Sequence, residues 1–137
     1  MIKRLSHTGI QVLDQERARR FYTEVLGFEV HTDETMDGFR WLTVSPKEQP
    51  DLEIVLAEPA PPMFSQDDAA TVRALIEKGA FSGGVLETDD CRRTASELKA
   101  KGVKFIQEPA ERPYGIEAVF RDDSGNWFSL TQRLSPQ

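Results

Sequence analysis

The spacing of apolar positions in the first half of the chain predicts one strand, one helix and then three strands. Residues 5–13 read as a half-buried strand. Asp14 is a candidate N-cap, and Gly27 supplies the left-handed residue that ends a helix. Between them an apolar stripe recurs with helical spacing, formed by Ala18, Phe21, Tyr22, Val25 and Leu26. The next strands are predicted over residues 28–31, 40–45 and 52–56.

The same order of elements returns in the second half. A strand over 81–87 precedes Asp89 or Asp90 as a cap, a helix, and Gly102 as its stop. Further strands are predicted over 103–106, 115–120 and 127–131. Cap, stop and strand recur at an offset of 75 residues (14 to 89, 27 to 102, 30 to 105). An internal repeat of this kind indicates a duplicated supersecondary unit.

The repeat predicts an α+β fold of two tandem βαβββ repeats that form cupped mixed sheets with the helices outside. A proline-rich linker over 57–66 leads to a short helix that Ser65 can cap and Gly79 can close. We therefore expect a single domain over residues 1–137. Its parts are repeat one at about 4–57, a linker and helix at about 58–80, and repeat two at about 81–132.

Composition narrows the possible partners. The net charge of −6 argues against nucleic acid as a partner, because its phosphates need a basic footprint, and it disfavours an anionic membrane surface. No apolar run approaches the roughly 20 residues of a membrane span, and no signal peptide is seen. The one cysteine, Cys91, is expected to be a structural thiol, and it indicates a reducing compartment, here the cytoplasm. Sheet edges in two repeats favour a homodimer.

Three segments resemble the vicinal oxygen chelate superfamily, which includes glyoxalase I, extradiol dioxygenases and bleomycin-binding proteins. They are Leu5–Ile10, the Phe-Tyr-x-x-x-Leu-Gly-Phe run over 21–28, and the Asp-x-x-Gly-Asn run that begins at Asp122 and leads into residues 127–130. The similarity covers nearly all of residues 4–132. It implies a fold and does not by itself imply a reaction.

The resemblance also implies four places for metal ligands, one on each of four strands. His7 fits the first place, but Ser82 and Ser129 stand where metal-dependent members carry His or Glu, and Val55 stands at the remaining place. A serine hydroxyl is a poor ligand for zinc or iron, and valine is none. Glu53, two residues before Val55 on the same strand face, would bring the set only to two. We therefore expect no family metal site.

Alternate strand residues are expected to line the cup as an organic-ligand pocket. The candidate ligand-binding residues are His7, Trp41, Glu53, Arg112, Tyr114, Trp127 and Ser129. Residues 108–115 are interpreted as a loop over the mouth of the cup, from which Arg112 could clamp an anion and Tyr114 could hydrogen-bond or stack. Trp41 and Trp127 could equally be core residues. For metal-free catalysis the natural pair is His7 as general base and Glu53.

Three functions stay open at this point. The preferred one is a small-molecule-binding protein of the bleomycin-resistance kind, which binds a small organic ligand without a firm cofactor. The second is a metal-dependent enzyme of the glyoxalase or dioxygenase kind, a lyase, isomerase or ring-opening oxygenase that holds a divalent metal in altered geometry. The third is a non-catalytic protein whose sheets serve only dimerisation. The sequence does not decide whether the chain is an enzyme.

Overall fold

The computed structural model describes residues 1–134, and it divides the chain into two compact units, Met1–Ile76 and one that starts at Glu77. The first unit contains β1 (His7–Gln11), α1 (Gln15–Arg20), β2 (Glu29–Met36), β3 (Phe39–Ser45) and β4 (Glu53–Ala57). A π-helical turn over Phe21–Val25 extends α1, and α2 spans Gln66–Glu77. The second unit contains β5 (Ser82–Glu87), α3 (Cys91–Ala100), β6 (Phe105–Arg112), β7 (Gly115–Arg121) and β8 (Trp127–Arg133).

Both units have the same sheet topology. The first sheet has the strand order β1-β4-β3-β2, and the second has the order β5-β8-β7-β6. In each sheet the first strand pairs parallel with the last, and the other pairs are antiparallel. The prediction of two tandem βαβββ repeats with mixed sheets is confirmed.

One face of the first sheet forms the core of its unit. Strand residues alternate between faces, so every second residue points toward the same side. The apolar members of this face are at most 7% exposed: Ile10, Val12, Leu42, Val44, Ile54 and Leu56. Helix α1 lies against β4 and contributes buried Ala18, while its π-helical extension contributes Tyr22. Each fully buried valine, leucine or isoleucine side chain of this core stabilises the fold by about 1.5–3 kcal/mol relative to an exposed one.

The second sheet buries the equivalent face. Helix α3 packs against β6, β7 and β8 through Cys91, Ala95 and Leu98. The aromatic rings of Phe120 and Phe128 stack at 5.6 Å between centroids. Burial raises the pKa of the Cys91 thiol, as expected for a structural cysteine.

Two local insertions make the repeat offset vary. The N-caps are Asp14 and Asp90, whose side chains accept from Arg17 N–H and Arg93 N–H, so the offset is 76 here (14 to 90). The extra residue in repeat two is Gly83, where the register of β5 on β8 shifts. The offset returns to 75 at the helix stops (27 to 102), because the π-helical turn places one extra residue in repeat one. Its Leu26 N–H donates to the carbonyl of Phe21, five residues back.

Strands β2 and β6 run at least five residues beyond their predicted ends. Strand β2 continues to Met36, because Asp37 and Gly38 both have positive φ and form the tight turn of a hairpin with β3. The interpretation of residues 108–115 as a loop is wrong, because β6 continues to Arg112 and pairs with β7. Pro109 is accommodated because the register shifts between Gln107 and Ala110, so a ladder N–H is not required there.

Candidate functional site

The face of the first sheet opposite α1 carries a carboxylate that several donors surround. Glu53 on β4 lies directly opposite His7 in the parallel pairing with β1. Its Oε2 is 2.9 Å from His7 Nε2, and its Oε1 is 3.1 Å from His31 Nδ1. The hydroxyl of Thr43, which is fully buried on β3, donates to the same Oε1 at 2.9 Å. Four strands thus contribute one polar side chain each to a single cluster.

Each imidazole also contacts a neighbouring hydroxyl. Because a carboxylate only accepts, a hydrogen bond from either ring to Glu53 needs a proton on the ring nitrogen that faces it. His7 Nδ1 is hydrogen-bonded with the Ser6 hydroxyl at 2.9 Å. His31 Nδ1, the nitrogen that faces Glu53, is also hydrogen-bonded with the Thr32 hydroxyl at 3.2 Å. Trp41 lies on this face too, with its ring 6.1 Å from that of His7.

The second sheet carries its own carboxylate on the face opposite α3. Ser129, buried on β8, donates to Glu117 Oε2 at 2.6 Å, and the Tyr114 hydroxyl donates to Oε1 at 2.7 Å. These two hydrogen bonds, that of Ser129 first, hold the pKa of Glu117 below its usual value, and the same contact raises the pKa of Tyr114. The Ser129 hydroxyl also contacts that of Thr131 at 2.8 Å.

The two sheets carry the same kinds of side chain, but on different strands. Thr43 pairs with Val55 in the first sheet, and Val119 pairs with Ser129 in the second. When these pairs are superposed, Trp41 takes the place of Glu117, and Glu53 takes the place of Trp127. The segment Trp-x-hydroxyl therefore lies on β3 in repeat one and on β8 in repeat two, while Glu-x-Val lies on β4 and on β7. Each carboxylate accepts from the hydroxyl of the neighbouring strand.

The structure groups the candidate ligand-binding residues by repeat. His7, Trp41 and Glu53 share one face of the first sheet. Tyr114 and Ser129 meet through Glu117 in the second sheet, where Arg112 Nε lies 4.0 Å from the same carboxylate. Trp127 is half-buried on β8, and strand alternation puts it on the side of Ser129. Binding by all seven residues stays a prediction.

Three members of these clusters were missed in the sequence: His31, Thr43 and Glu117. The signal for Thr43 was strand alternation, since it lies two residues from Trp41, whereas Glu117 lies two residues from no candidate residue. No periodic signal marked His31, because it sits where the pairing of β2 with β3 skips from Val30 to Thr32. Such a bulge turns a side chain away from its alternating direction.

Arg40 belongs to the opposite side of its strand from Trp41. Its guanidinium binds Asp33 through two hydrogen bonds and reaches Glu16 on α1 at 3.1 Å. Together with Arg19, it lowers the pKa of Glu16 to about 2, and it lowers that of Asp33 as well. Arg40 thus ties α1 to the β2–β3 hairpin and does not face the candidate site.

The residues do not fit the family metal. The pairing of Ser82 with Trp127 matches that of His7 with Glu53, so Ser82 is the counterpart of His7 in repeat two. Of the four places that the resemblance implies, the other two carry Ser129 and Val55, so His7 alone has a side chain that commonly binds a metal. Within residues 1–134, no group of three His, Cys, Asp or Glu side chains is arranged to hold a metal ion.

Comparison with known proteins finds one family over nearly the whole chain. The model of the Glyoxalase/Bleomycin resistance protein/Dioxygenase superfamily matches residues 4–130. The uncharacterized protein YurT of Bacillus subtilis is 36% identical over 131 residues, which covers 92% of this chain and 96% of YurT. The uncharacterized protein YetH of Bacillus subtilis is 30% identical, and the match covers the full length of YetH.

Solved structures give the same picture. The crystal structure of UcmS2 is 53% identical, with a TM-score of 0.91, and the match covers 96% of this chain and 98% of UcmS2. TnmS3, described as an antibiotic binding protein from Streptomyces sp. CB03234, is 32% identical with a TM-score of 0.77, and the match covers 97% of this chain and 98% of TnmS3.

Within the described residues, no helix is both long and apolar enough to cross a membrane.

Proposed function

Because this chain belongs to the Glyoxalase/Bleomycin resistance protein/Dioxygenase superfamily, we propose that it binds a small organic molecule without the family's complete metal site. The observation that carries the proposal is the composition of the two exchanged sheet faces. Each has one half-buried indole, one carboxylate and one buried hydroxyl, where metal-dependent relatives need three or four metal ligands. Apolar surface with a few fixed polar groups is typical of organic-ligand sites.

The comparisons support an antibiotic-like ligand. TnmS3 is similar over almost the full length of both chains and is described as an antibiotic binding protein. Trp41 and Trp127 would supply the flat apolar surfaces against which the rings of such a molecule pack. We expect His7, Glu53, Arg112, Tyr114 and Ser129 to orient it by hydrogen bonds.

Titration with a panel of aromatic and antibiotic compounds tests the proposal through tryptophan fluorescence. The chain has two tryptophans, so Trp41→Phe leaves Trp127 as the only indole reporter, and Trp127→Phe leaves Trp41. Saturable quenching in either variant identifies the sheet that binds. If no compound changes the emission or the melting temperature of the wild-type protein, the proposal is wrong, since ligand binding to the native state must stabilise it.

The second candidate is a metal-dependent enzyme of the glyoxalase or dioxygenase kind, and His7 at the first ligand place favours it. Metal analysis of the purified protein separates the two candidates. A stoichiometric divalent metal that is lost in His7→Ala would support the enzyme, whereas ligand binding by the chelator-treated protein would support the binding protein. A metal-free reaction would instead use His7 as general base, and His7→Ala would abolish it.

We also propose that the two repeats form a single domain. The chain would then be a homodimer in the cytoplasm. The single buried cysteine supports a reducing compartment. Strands β1, β2, β5 and β6 are the outer strands of their sheets, and outer strands offer unpaired backbone groups to a partner. Light scattering during size-exclusion chromatography measures the molar mass in solution. A monomer mass at all protein concentrations would contradict the dimer.

A further inference from the structure

The indole of Trp41 is carried by a part of β3 that extends beyond its ladder with β4. Within residues 1–134, this ladder ends at the pair Thr43–Val55 on the side of the hairpin tip. The pairing of β3 with β2, in contrast, continues to Phe39 at the tip. Residues 39–42 are therefore fixed by strand pairing on one side. Because a two-stranded hairpin is only marginally stable by itself, other contacts must hold this segment in place.

Helix α1 supplies these contacts with the side chain of Gln15. Its Nε2 donates to the carbonyl of Arg40 at 3.1 Å and to the carbonyl of Leu56 at 2.8 Å. Both partners only accept, and the amide nitrogen has two protons to donate, so one group bridges β3 and β4 just past the end of their ladder. The guanidinium of Arg40 also reaches Glu16 on α1 at 3.1 Å. The first turn of α1 thus holds Arg40 by its backbone and by its side chain.

Trp41 follows Arg40 directly and points to the opposite side of β3, where its ring lies 6.1 Å from that of His7. We propose that Gln15 is a positioning residue of the ligand site, which acts through Arg40 to hold the Trp41 indole where an aromatic ring can pack on it. This inference rests on the proposed function and deepens it. Without the bridge, the indole would spend less time in place, and the apparent affinity would fall by that fraction.

The first measurement is the quenching of Trp41 fluorescence by acrylamide in a Trp127→Phe parent, where Trp41 is the only tryptophan. Gln15→Glu keeps the size of the side chain but replaces the donor amide by a carboxylate, which suits the first turn of a helix. We expect the quenching constant to rise by about twofold or more, because the half-buried indole becomes accessible. Gln66→Glu is the matched control, because Gln66 is exposed and begins α2 as Gln15 begins α1.

The second measurement is the affinity for 2-naphthol, a flat aromatic probe, by calorimetric titration of the same proteins. Gln15→Glu is expected to bind it about tenfold more weakly than the parent, which corresponds to about 1.4 kcal/mol and lies within the effect of two neutral hydrogen bonds. Gln66→Glu should bind it as the parent does. Glu16→Gln, which removes the charge that Arg40 contacts on α1, should change both measurements in the same direction, and it serves as the test if Gln15→Glu does not fold.

A lower melting temperature with unchanged quenching of Trp41 would show that Gln15 is merely structural, and it would overturn the inference. So would an equal change in Gln66→Glu, or a 2-naphthol affinity that is undetectable in the parent or unchanged in Gln15→Glu. In a Trp41→Phe background, Gln15→Glu should leave the quenching of Trp127 unchanged, and a rise there would indicate general loosening and overturn the inference too. In all these cases a compound panel that still binds leaves the proposed function standing. Failure of the whole panel would overturn the proposed function, and the inference with it.

Discussion

Replacing Ser129 with Ala should destabilise the protein in a manner that depends on pH. The hydroxyl is 5% exposed and donates to Glu117 at 2.6 Å, while the Glu117 side chain is 21% exposed. Hydrogen bonds to a charged partner contribute about 1.5–3 kcal/mol when the partner is shielded from water. The substitution also takes a partner from the buried hydroxyl of Thr131. We expect a loss of about 2 kcal/mol in the free energy of unfolding at about pH 7.

The pH dependence follows from the lowered pKa of Glu117. A carboxyl whose pKa is lower in the folded state stabilises that state at pH values above its unfolded pKa, and this contribution is lost as the pH falls through the folded pKa. The Ser129 hydroxyl is the first cause of the shift. The stability difference between wild type and Ser129→Ala should therefore be largest near neutral pH and should shrink as the pH falls through the lowered pKa of Glu117.

Urea unfolding at neutral and at acid pH measures the effect, and a double-mutant cycle with Glu117→Gln isolates the pair. If the hydroxyl acts through the carboxylate, the loss caused by Ser129→Ala should be smaller in the Glu117→Gln background. Losses that are additive and equal at both pH values would refute the reasoning. They would show that Ser129 matters only for packing.

Three other predictions concern the second repeat. Glu117→Gln should lower the pKa of Tyr114, because the carboxylate that favours the neutral phenol is removed, and ultraviolet absorbance during alkaline titration reports this. Gly115→Ala should lower the melting temperature sharply, because Gly115 has a φ of 146° and a β-carbon there would lie 2.0 Å from the Gln132 carbonyl oxygen; normal melting would contradict this. The Cys91 thiol should react with a disulfide reagent only after unfolding, and rapid labelling of the native protein would contradict its burial.

The architecture could be predicted from the sequence because the signals that specify it recur in both halves of the chain. Apolar periodicity, the caps and the glycine stops are local, and each recurs near the same offset in both halves. The end of β6 could not be read in this way, because a proline usually excludes a paired strand and only the shifted register accommodates Pro109. Similarly, the polar residues of β2 gave no strand signal, and the hairpin turn at Asp37-Gly38 was not predicted.

The candidate site was predictable only in part, and for a related reason. His7 and Glu53 were found because each lies on the expected strand face. In the structure, His7 Nε2 lies 2.9 Å from Glu53 Oε2. His31 breaks the alternation of β2, so no rule based on alternating faces could assign it. Glu117 was missed because a constant offset compares like strands with like, whereas its counterpart in chemistry, Glu53, is on a different strand of the other repeat.

The exchange of segments between the repeats bears on how this chain could be re-engineered. A symmetrised protein that carried repeat one twice would keep every strand and both turns, yet its second carboxylate would sit on β8 and its second indole on β7. Consensus averaging of the halves would place glutamate and tryptophan in competition at two positions. A design that copies one half onto the other must therefore reassign the glutamate and the tryptophan at these two positions.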